Sequence, residues 1–303
     1  MNKLIKKICI VYILLETFAM YGKEMVKIPE ITFTRTDSKG NMQVVTVSSF
    51  YMDKYDVTIN EWAEYFKKSK ELDSKWKPNY YYKDYSFEDQ LNHMKYRLSD
   101  SGFIPIETIS IDMEGPIWGV YFKDAICYCN FLSEQEGLTP CYEIVWDEFV
   151  PETVIWNQNA NGYRLPTVAE WQAVSELYTR EPDYEYFHKS NVLNEKNEKA
   201  KEKIPNKYGV VDIIRCRGKF LWDYYYKDEL YIPANVRNPT GPDKYTPDES
   251  AIFFNEPIYE VRLLTLFFDQ NNNTFENYAK KNLEPYPIDY NVGATIRLCR
   301  NKE

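Results

Sequence analysis

Few residues in this sequence combine a reactive side chain with a spacing that supports chemistry. Its 303 residues include two histidines, His93 and His188, which are far apart in the chain. This excludes a histidine-rich metal site and the His-Glu-x-x-His pattern of zinc proteases. The glycine-rich phosphate-binding signatures and the Gly-x-Ser-x-Gly nucleophile motif are also absent. The usual signatures of nucleotide-binding proteins and serine hydrolases are therefore missing.

The six cysteines are the remaining candidates for reactive or metal-binding groups. Cys9 lies in the N-terminal segment, and the other five are irregularly spaced, namely Cys127, Cys129, Cys141, Cys216 and Cys299. An odd number argues against a full disulfide framework, although one or two bridges are compatible with an oxidising compartment. Cys127 and Cys129 form a Cys-x-Cys pair, which is weak as a metal motif. We interpret these two thiols as small buried groups on one helix.

The N-terminal segment has the layout of a secretory signal peptide. Three lysines precede an apolar run from Ile8 to Leu15, and Thr17 and Ala19 supply small residues before a cleavage point. We predict that residues 1–19 direct export to the periplasm, the cell envelope or the exterior. The alternative is a buried N-terminal helix. No later stretch is long and apolar enough to span a bilayer, so the mature chain is expected to lack a transmembrane segment.

The composition predicts a folded, acidic domain. The chain is 44% hydrophobic and 27% charged, which is enough to build a core. Its net charge of −9 disfavours nucleic acid or an anionic membrane surface as the main partner. Glycine is scarce, with 11 residues, where average usage would give about 21.

Local patterns predict a single α+β domain with a few helices, short strands and much irregular structure. Helices are expected to begin at the capping boxes Thr58–Glu61 and Thr167–Glu170, and a third to run from about Lys123 to Glu136. Residues 70–112 are expected to be irregular, and residues 189–207 to form a solvated loop. A turn is expected at residues 39–41. Strands are expected at residues 25–28, 44–47, 50–52, 252–254, 261–264 and 295–299.

Several of these segments, in this order, resemble the formylglycine-generating enzyme or sulfatase-modifying factor family. Residues 50–58 and 116–130 are close to two of its motifs. The best match is residues 161–171, which read Asn-Gly-Tyr-Arg-Leu-Pro-Thr-Val-Ala-Glu-Trp. The resemblance implies a C-type-lectin-like fold over residues 24–303. It also implies that three residues of this block are structural signature residues, namely Arg164, Glu170 and Trp171.

The residues that carry the family's chemistry are missing from this chain. Catalytic members use a cysteine pair near a C-terminal strand, and such paired thiolates bind Cu(I). The corresponding stretch here is residues 260–268, in which Leu263 and Leu264 replace two glycines and no cysteine occurs. The resemblance therefore implies a divergent member without catalytic residues and without copper, so we lean against an enzyme.

The family's calcium-linked segment has also diverged. Residues 206–223 lack its Gly-Asn pair and carry three cations in the region where the metal would lie, namely Arg215, Arg217 and Lys219. Like charges would repel Ca²⁺ there. Asp269 opens a segment that begins like a calcium-binding loop, but its later positions do not fit one, so it is interpreted as a polar turn. No cofactor is expected, and calcium is left as an alternative with a degraded family motif.

The function favoured by this pattern is that of a secreted, non-catalytic binding or scaffold module. Aromatic and amide side chains on loops suit protein or glycan ligands. The candidate ligand-binding residues lie in the C-terminal third, namely Trp222, Tyr225, Phe267, Asp269, Asn271, Tyr278 and Tyr290. One alternative is an oxidase of protein cysteines that uses a displaced site at Cys216 or Cys299. Another is a structural component of an envelope or motility complex.

Overall fold

The chain was analysed as a computed structural model, and its described part is discontinuous. The described residues are 23–36, 42–78, 86–102, 105–147, 150–176, 205–213, 219–224, 235–241, 252–253, 256–257, 261–265, 283–287 and 294–301. Within them the helices are α1 Ile59–Glu71, α2 Phe87–Gly102, α3 Phe122–Gln135 and α4 Val168–Ser175. The strands are β1 Met25–Ile28, β2 Ile31–Thr36, β3 Met42–Val47, β4 Phe50–Asp53, β5 Tyr142–Asp147, β6 Val150–Trp156, β7 Tyr163–Arg164, β8 Phe220–Tyr224, β9 Val236–Arg237, β10 Ile252–Phe253, β11 Glu256–Pro257, β12 Val261–Thr265, β13 Leu283–Pro287 and β14 Cys299–Asn301.

The strands form several small sheets, and the largest described sheet joins the two ends of the domain. Its order is β1-β4-β14-β7. Met52 in β4 lies opposite Val26 on one side and opposite Cys299 on the other. Two three-stranded sheets have the orders β2-β3-β9 and β13-β12-β8, and the pairs β5-β6 and β10-β11 are two-stranded. The architecture is α+β, as the sequence predicted.

Two helices begin where the sequence places their capping boxes. The hydroxyl of Thr58 accepts a hydrogen bond from the backbone N–H of Glu61, and the Glu61 carboxylate accepts one from the backbone N–H of Thr58. Thr167 and Glu170 form the same reciprocal pair at the start of α4. Such a box satisfies two backbone donors that a helix end leaves open. The predicted starts of α1 and α4 are confirmed.

Helix α3 is buried along almost its whole length. Residues 122–133 are all buried, and Gly137 follows the helix with a φ of +67°, which glycine adopts without a steric penalty. The apolar face predicted at Ala125, Ile126, Cys129 and Leu132 is confirmed, and Cys127 is buried as well. The helix therefore forms the centre of a core cluster that also contains Trp62 and Tyr65 of α1.

Helix α2 lies in a region that the sequence reading had expected to be irregular, and that expectation was wrong. Ser86 and Asp89 form a capping pair: the Asp89 carboxylate accepts from the backbone N–H of Ser86 at 2.8 Å, and the Ser86 hydroxyl accepts from the backbone N–H of Asp89 at 3.1 Å. Its apolar residues Phe87, Leu91 and Met94 recur at helical spacing and pack on the core cluster, a periodicity that the sequence reading overlooked. Gln90 anchors it by accepting from Trp62 Nε1 at 2.9 Å.

The strand predictions were partly right. Strands β1, β3, β4 and β12 contain the predicted residues, and β10 contains two of the three predicted at 252–254. The strand predicted at residues 295–299 was wrong, because β14 begins only at Cys299. Other strands were missed, namely β2, β5, β6, β8 and β13. Because β2 pairs with β3 and β1 pairs with β4, residues 37–41 join β2 to β3 and not, as expected, the first predicted strand to the second. The turn residues 39–41, residues 79–85 and most of the predicted loop at 189–207 lie outside the described residues.

Candidate functional site

The predicted ligand-binding residues are only partly visible in the structure. Tyr225, Phe267, Asp269, Asn271, Tyr278 and Tyr290 lie outside the described residues. Trp222, in β8, is 7% exposed and belongs to the core. Its ring stacks on Tyr142 with 5.2 Å between ring centroids and meets Trp156 edge-on at 5.4 Å. In this structure Trp222 therefore packs the domain and does not present its ring to a ligand.

The three signature residues form an internal frame. Arg164 binds Glu170 through two hydrogen bonds of 2.7 Å and 2.6 Å, and Trp171 Nε1 donates to the carbonyl of Ile213 at 3.0 Å. The Arg164–Glu170 ion pair is buried, so both charges are held away from water. Burial alone would lower the pKa of Arg164, but the Glu170 carboxylate outweighs this and raises it. The block fixes strand β7 against helix α4.

A second buried ion network links the last described segment to the chain after β4. The Asp56 carboxylate lies 3.0 Å from Lys219 Nζ, and Arg297 Nε donates to its other oxygen at 2.7 Å. All three side chains are buried. Burial alone would raise the pKa of Asp56, but the charges of Arg297 and Lys219 outweigh burial and hold the pKa below its ordinary value. Lys219, which the sequence placed among calcium-repelling cations, is thus neutralised inside the core.

A third network surrounds Lys23. Its ammonium group lies 2.7 Å from Glu61 and 3.4 Å from Asp53, and it sits 5.9 Å above the ring of Tyr128. Burial raises the pKa of Asp53 to about 6, because the nearby Lys23 compensates only part of the lost hydration. Burial also raises the pKa of Tyr128. Burial alone would lower the pKa of Lys23, but its interactions with Tyr128, Asp53 and Glu61 outweigh burial and raise it.

The described cysteines are free thiols and lie in the core. Cys127, Cys129, Cys141 and Cys299 are each 1% exposed or less. Burial raises the pKa of Cys141 to about 11 and the pKa of the other three well above its ordinary value. A thiol reacts as its thiolate, so these groups are poor nucleophiles and poor metal ligands. Cys216 lies outside the described residues.

The described oxygens of the calcium-linked segment accept hydrogen bonds from backbone N–H groups. Among them, no group of three or more His, Cys, Asp or Glu side chains is arranged to hold a metal ion. In the calcium-linked segment, Asn206 Oδ1 accepts from the backbone N–H groups of Tyr208 and Val210, and Asp223 accepts from the N–H of Val168 at 2.7 Å. These oxygens stabilise backbone turns. We assign no chemical role to copper or calcium here.

An open groove lies beside strand β5, in a region that sequence reasoning had not singled out. Its volume is about 490 Å³, and it is lined by Lys75, Trp76, Pro140, Tyr142, Glu143, Ile144 and Trp146. The Lys75 ammonium lies 4.5 Å from the centre of the Trp76 ring and 3.7 Å from a carboxylate oxygen of Glu134. The available signal was the run of aromatic and β-branched residues in 142–156, which is typical of strands. This groove is the candidate binding site in the described part of the chain.

The described residues form an α+β domain with buried ion pairs in its core and a groove beside β5. The sequence model of the sulfatase-modifying factor enzyme 1-like domain matches residues 14–214. The chain therefore belongs to that family, as its motifs had indicated. None of the described helices is long and apolar enough to cross a bilayer.

Individual relatives agree with this assignment. The chain is 28% identical over 169 residues to the chaperone protein LppX of Paenibacillus barcinonensis, a match that covers 52% of this chain and 47% of LppX. The chain thus spans about half the length of that curated relative. The solved structure of variable protein 1 of Treponema denticola is similar with a TM-score of 0.57 and 17% identity, covering 92% of this chain and 95% of that one.

The crystal structure of CarF is similar with a TM-score of 0.52 and 13% identity, over 93% of this chain and 100% of that chain. At such low identities the two solved structures show a shared fold and nothing about activity.

Proposed function

We propose that this chain is an exported, non-catalytic member of the sulfatase-modifying factor family that acts as a binding module for polypeptides. The observation that carries the proposal is the state of its cysteines. The four described thiols lie in the core with raised pKa values. A cysteine-based oxidase needs thiolates that oxygen and substrate can reach. Burial of this kind supports a scaffold role.

The charged residues also support a scaffold. The Asp56 carboxylate pairs with both Lys219 and Arg297, and Glu170 pairs with Arg164. Removing one partner from a buried pair leaves an uncompensated charge, so such groups hold a fold together and are not available to a substrate. The groove beside β5 is left as the surface for recognition.

A polypeptide ligand is favoured because the relative LppX is named a chaperone protein. The proposal transfers only the class of ligand, since the match covers about half of that protein.

The test uses the chain from residue 20 onward, without the predicted leader. It is incubated with Cu(I), oxygen and a sulfatase-type Cys-x-Pro-x-Arg peptide, with a catalytic family member as positive control. We expect the mass of that peptide to stay unchanged.

In parallel, a displayed library of random linear peptides is selected on the immobilised protein, and we expect enrichment of a subset. Oxidation of the cysteine peptide, or no enriched peptide, contradicts the proposal.

Export is tested separately by fusing residues 1–30 to an alkaline phosphatase that is active only after translocation. We expect enzyme activity from this fusion and none from a control in which three apolar residues of the leader are replaced by aspartate. An inactive fusion that stays inside the cell contradicts export and leaves polypeptide binding untouched.

A further inference from the structure

The strand β5 has one edge bound to β6 and one edge turned away from it. The carbonyl of Cys141 accepts from the backbone N–H of Asn157 at 2.8 Å, so residue 141 points its carbonyl at the β6 side. In an antiparallel pair, alternate residues exchange hydrogen bonds with the partner strand. The backbone N–H and carbonyl groups of residues 143 and 145 therefore also point toward β6, where these residues lie opposite Ile155 and Thr153.

On the other edge of β5, the side chain of Asn130 forms hydrogen bonds with the backbone of Tyr142 as a neighbouring strand would. Its Oδ1 accepts from the backbone N–H of Tyr142 at 3.0 Å, and its Nδ2 donates to the carbonyl of Tyr142 at 2.7 Å. These two bonds reproduce the pair that a neighbouring strand would make. They confirm that the even-numbered residues of β5 direct their peptide groups away from β6.

Ile144 is the next residue with this orientation. Its N–H and its carbonyl point along the same outer edge, one strand repeat beyond Tyr142. In the described part of the chain β5 pairs with β6 alone, so no described strand covers this edge. An edge with a donor and an acceptor in strand spacing is a template for an added strand.

The groove lies beside this edge, and its lining determines which side chains an added strand can place there. Tyr142, Ile144 and Trp146 alternate along β5 and line the groove together with Trp76. The cation in its lining, Lys75, is paired with Glu134 at 3.7 Å, so the groove does not present an unpaired charge on this side. A volume of about 490 Å³ accepts a few apolar side chains.

The opposite face of the hairpin is also apolar and exposed. Val145 is 42% exposed and Ile155 is 51% exposed. A strand added to β5 would place its outward side chains next to Val145, and cross-strand apolar pairs of this kind stabilise a sheet.

From this geometry we propose that an extended polypeptide segment without net charge, with apolar side chains at alternate positions, adds as a strand to the outer edge of β5. Its backbone bonds the N–H and carbonyl of Ile144, and one apolar side chain enters the groove. The proposal rests on the proposed function and names its site and ligand. A glycan could stack on the aromatic rings, but it would leave the strand-spaced donor and acceptor of Ile144 unused.

The first test compares Ile144→Pro with Ile144→Val, using the peptides enriched from the random library. Proline removes the outward N–H and projects its ring over the edge, while the bonds of residues 143 and 145 to β6 face the other way. We expect peptide affinity to fall about tenfold or more for Ile144→Pro and to stay within about twofold for Ile144→Val. Far-UV circular dichroism and thermal unfolding check that both variants fold.

The second test needs no variant. Amide hydrogen exchange of the wild-type protein is followed by NMR with and without a bound peptide. We expect the amide of Ile144 to exchange quickly in the free protein and at least about tenfold more slowly in the complex. The amides of Glu143 and Val145 should be protected in both states, because they bond β6.

The possible results distinguish an error in the proposed β5 site from an error in the proposed function. If peptides bind wild type and Ile144→Pro equally, or protect amides elsewhere but not Ile144, the β5 site is wrong and the proposed function stands. If wild type binds no peptide, both are wrong. Protection of Ile144 by self-association, or binding of glycans alone, contradicts the proposed ligand. Binding that weakens steeply with added salt contradicts an uncharged segment.

Discussion

Arg297 donates from Nε to Asp56 Oδ1 over 2.7 Å, although 241 residues separate them in the chain. The remaining guanidinium hydrogen bonds go to backbone carbonyls of Asp53, Lys54 and Val211. A single buried side chain therefore links the segment before β14 to the segment after β4 and to the loop at residue 211. This contact closes the domain between its first and last described strands.

Replacing Asp56 with asparagine should destabilise the fold strongly. The change removes the carboxylate that Lys219 and Arg297 share, and breaking a buried pair of this kind costs about 3–5 kcal/mol. Urea unfolding of the chain from residue 20 onward measures the loss. The control is Glu24→Gln, which removes an exposed partner of Lys54 and should leave the free energy of unfolding nearly unchanged. Equal effects of the two changes would contradict a structural role for this network.

Two glycines should respond very differently to alanine. A Cβ at Gly162 would lie 2.3 Å from the carbonyl oxygen of Thr139 and 2.5 Å from Ser133 Oγ, whereas at Gly137 nothing lies within 4 Å. We expect Gly162→Ala to lower the free energy of unfolding by about 3 kcal/mol or more. Gly137→Ala should cost about 1 kcal/mol, because only its positive φ is unfavourable. Chemical unfolding checks both, and a mild effect at Gly162 would refute the close packing.

Stability should depend on pH through Asp53. Burial raises its pKa from an ordinary 3.8 to about 6, with Lys23, Glu61, Tyr128 and Arg297 as the charged or titratable neighbours. The folded state therefore favours the protonated carboxyl, and stability that is present below about pH 4 is lost as pH rises through about 6.

The measurement compares wild type with Asp53→Asn, which cannot titrate. Between about pH 4 and pH 7 the stability of wild type should fall relative to the variant by up to about 3 kcal/mol. Thermal unfolding across this range follows the difference. A constant difference, or one that grows in favour of wild type as pH rises, would show that the Asp53 pKa is not raised.

The buried thiols should react slowly in the native protein. Cys216 is replaced by serine in the chain from residue 20 onward, which leaves Cys127, Cys129, Cys141 and Cys299. At neutral pH we expect a thiol-specific disulfide reagent to label them at least about a hundredfold more slowly than in urea. A native thiol that reacts quickly would favour the alternative of an oxidase with a displaced site.

Some of this fold could be predicted because its signals are local. The capping boxes at Thr58 and Thr167 and the glycine stop at Gly137 depend on residues within one helical turn, so their sequence patterns were sufficient. Helix α2 has the same kind of signal in Ser86 and Asp89. The helical spacing of Phe87, Leu91 and Met94 was a second signal, and both were overlooked.

The candidate site could not be predicted in this way. The strand run at residues 142–156 was available in the sequence, but which edge of β5 is open depends on Asn130, which reaches it from helix α3. The groove depends on Trp76, which comes from the turn after helix α1. Trp222, an expected surface residue, is covered by Tyr142 and Trp156 from another sheet.

The sequence by itself determined the family, the α+β class and the starts of two helices, because each depends on short blocks whose residues contact one another. Through the resemblance it also predicts that the family's catalytic cysteines and paired glycines are replaced. Only the tertiary structure decided that Lys219 pairs with Asp56, that the described thiols are buried and that no described strand covers the edge of β5 at Ile144. These properties arise from contacts between residues that are distant in the chain, and their burial and charge depend on what the fold brings against them.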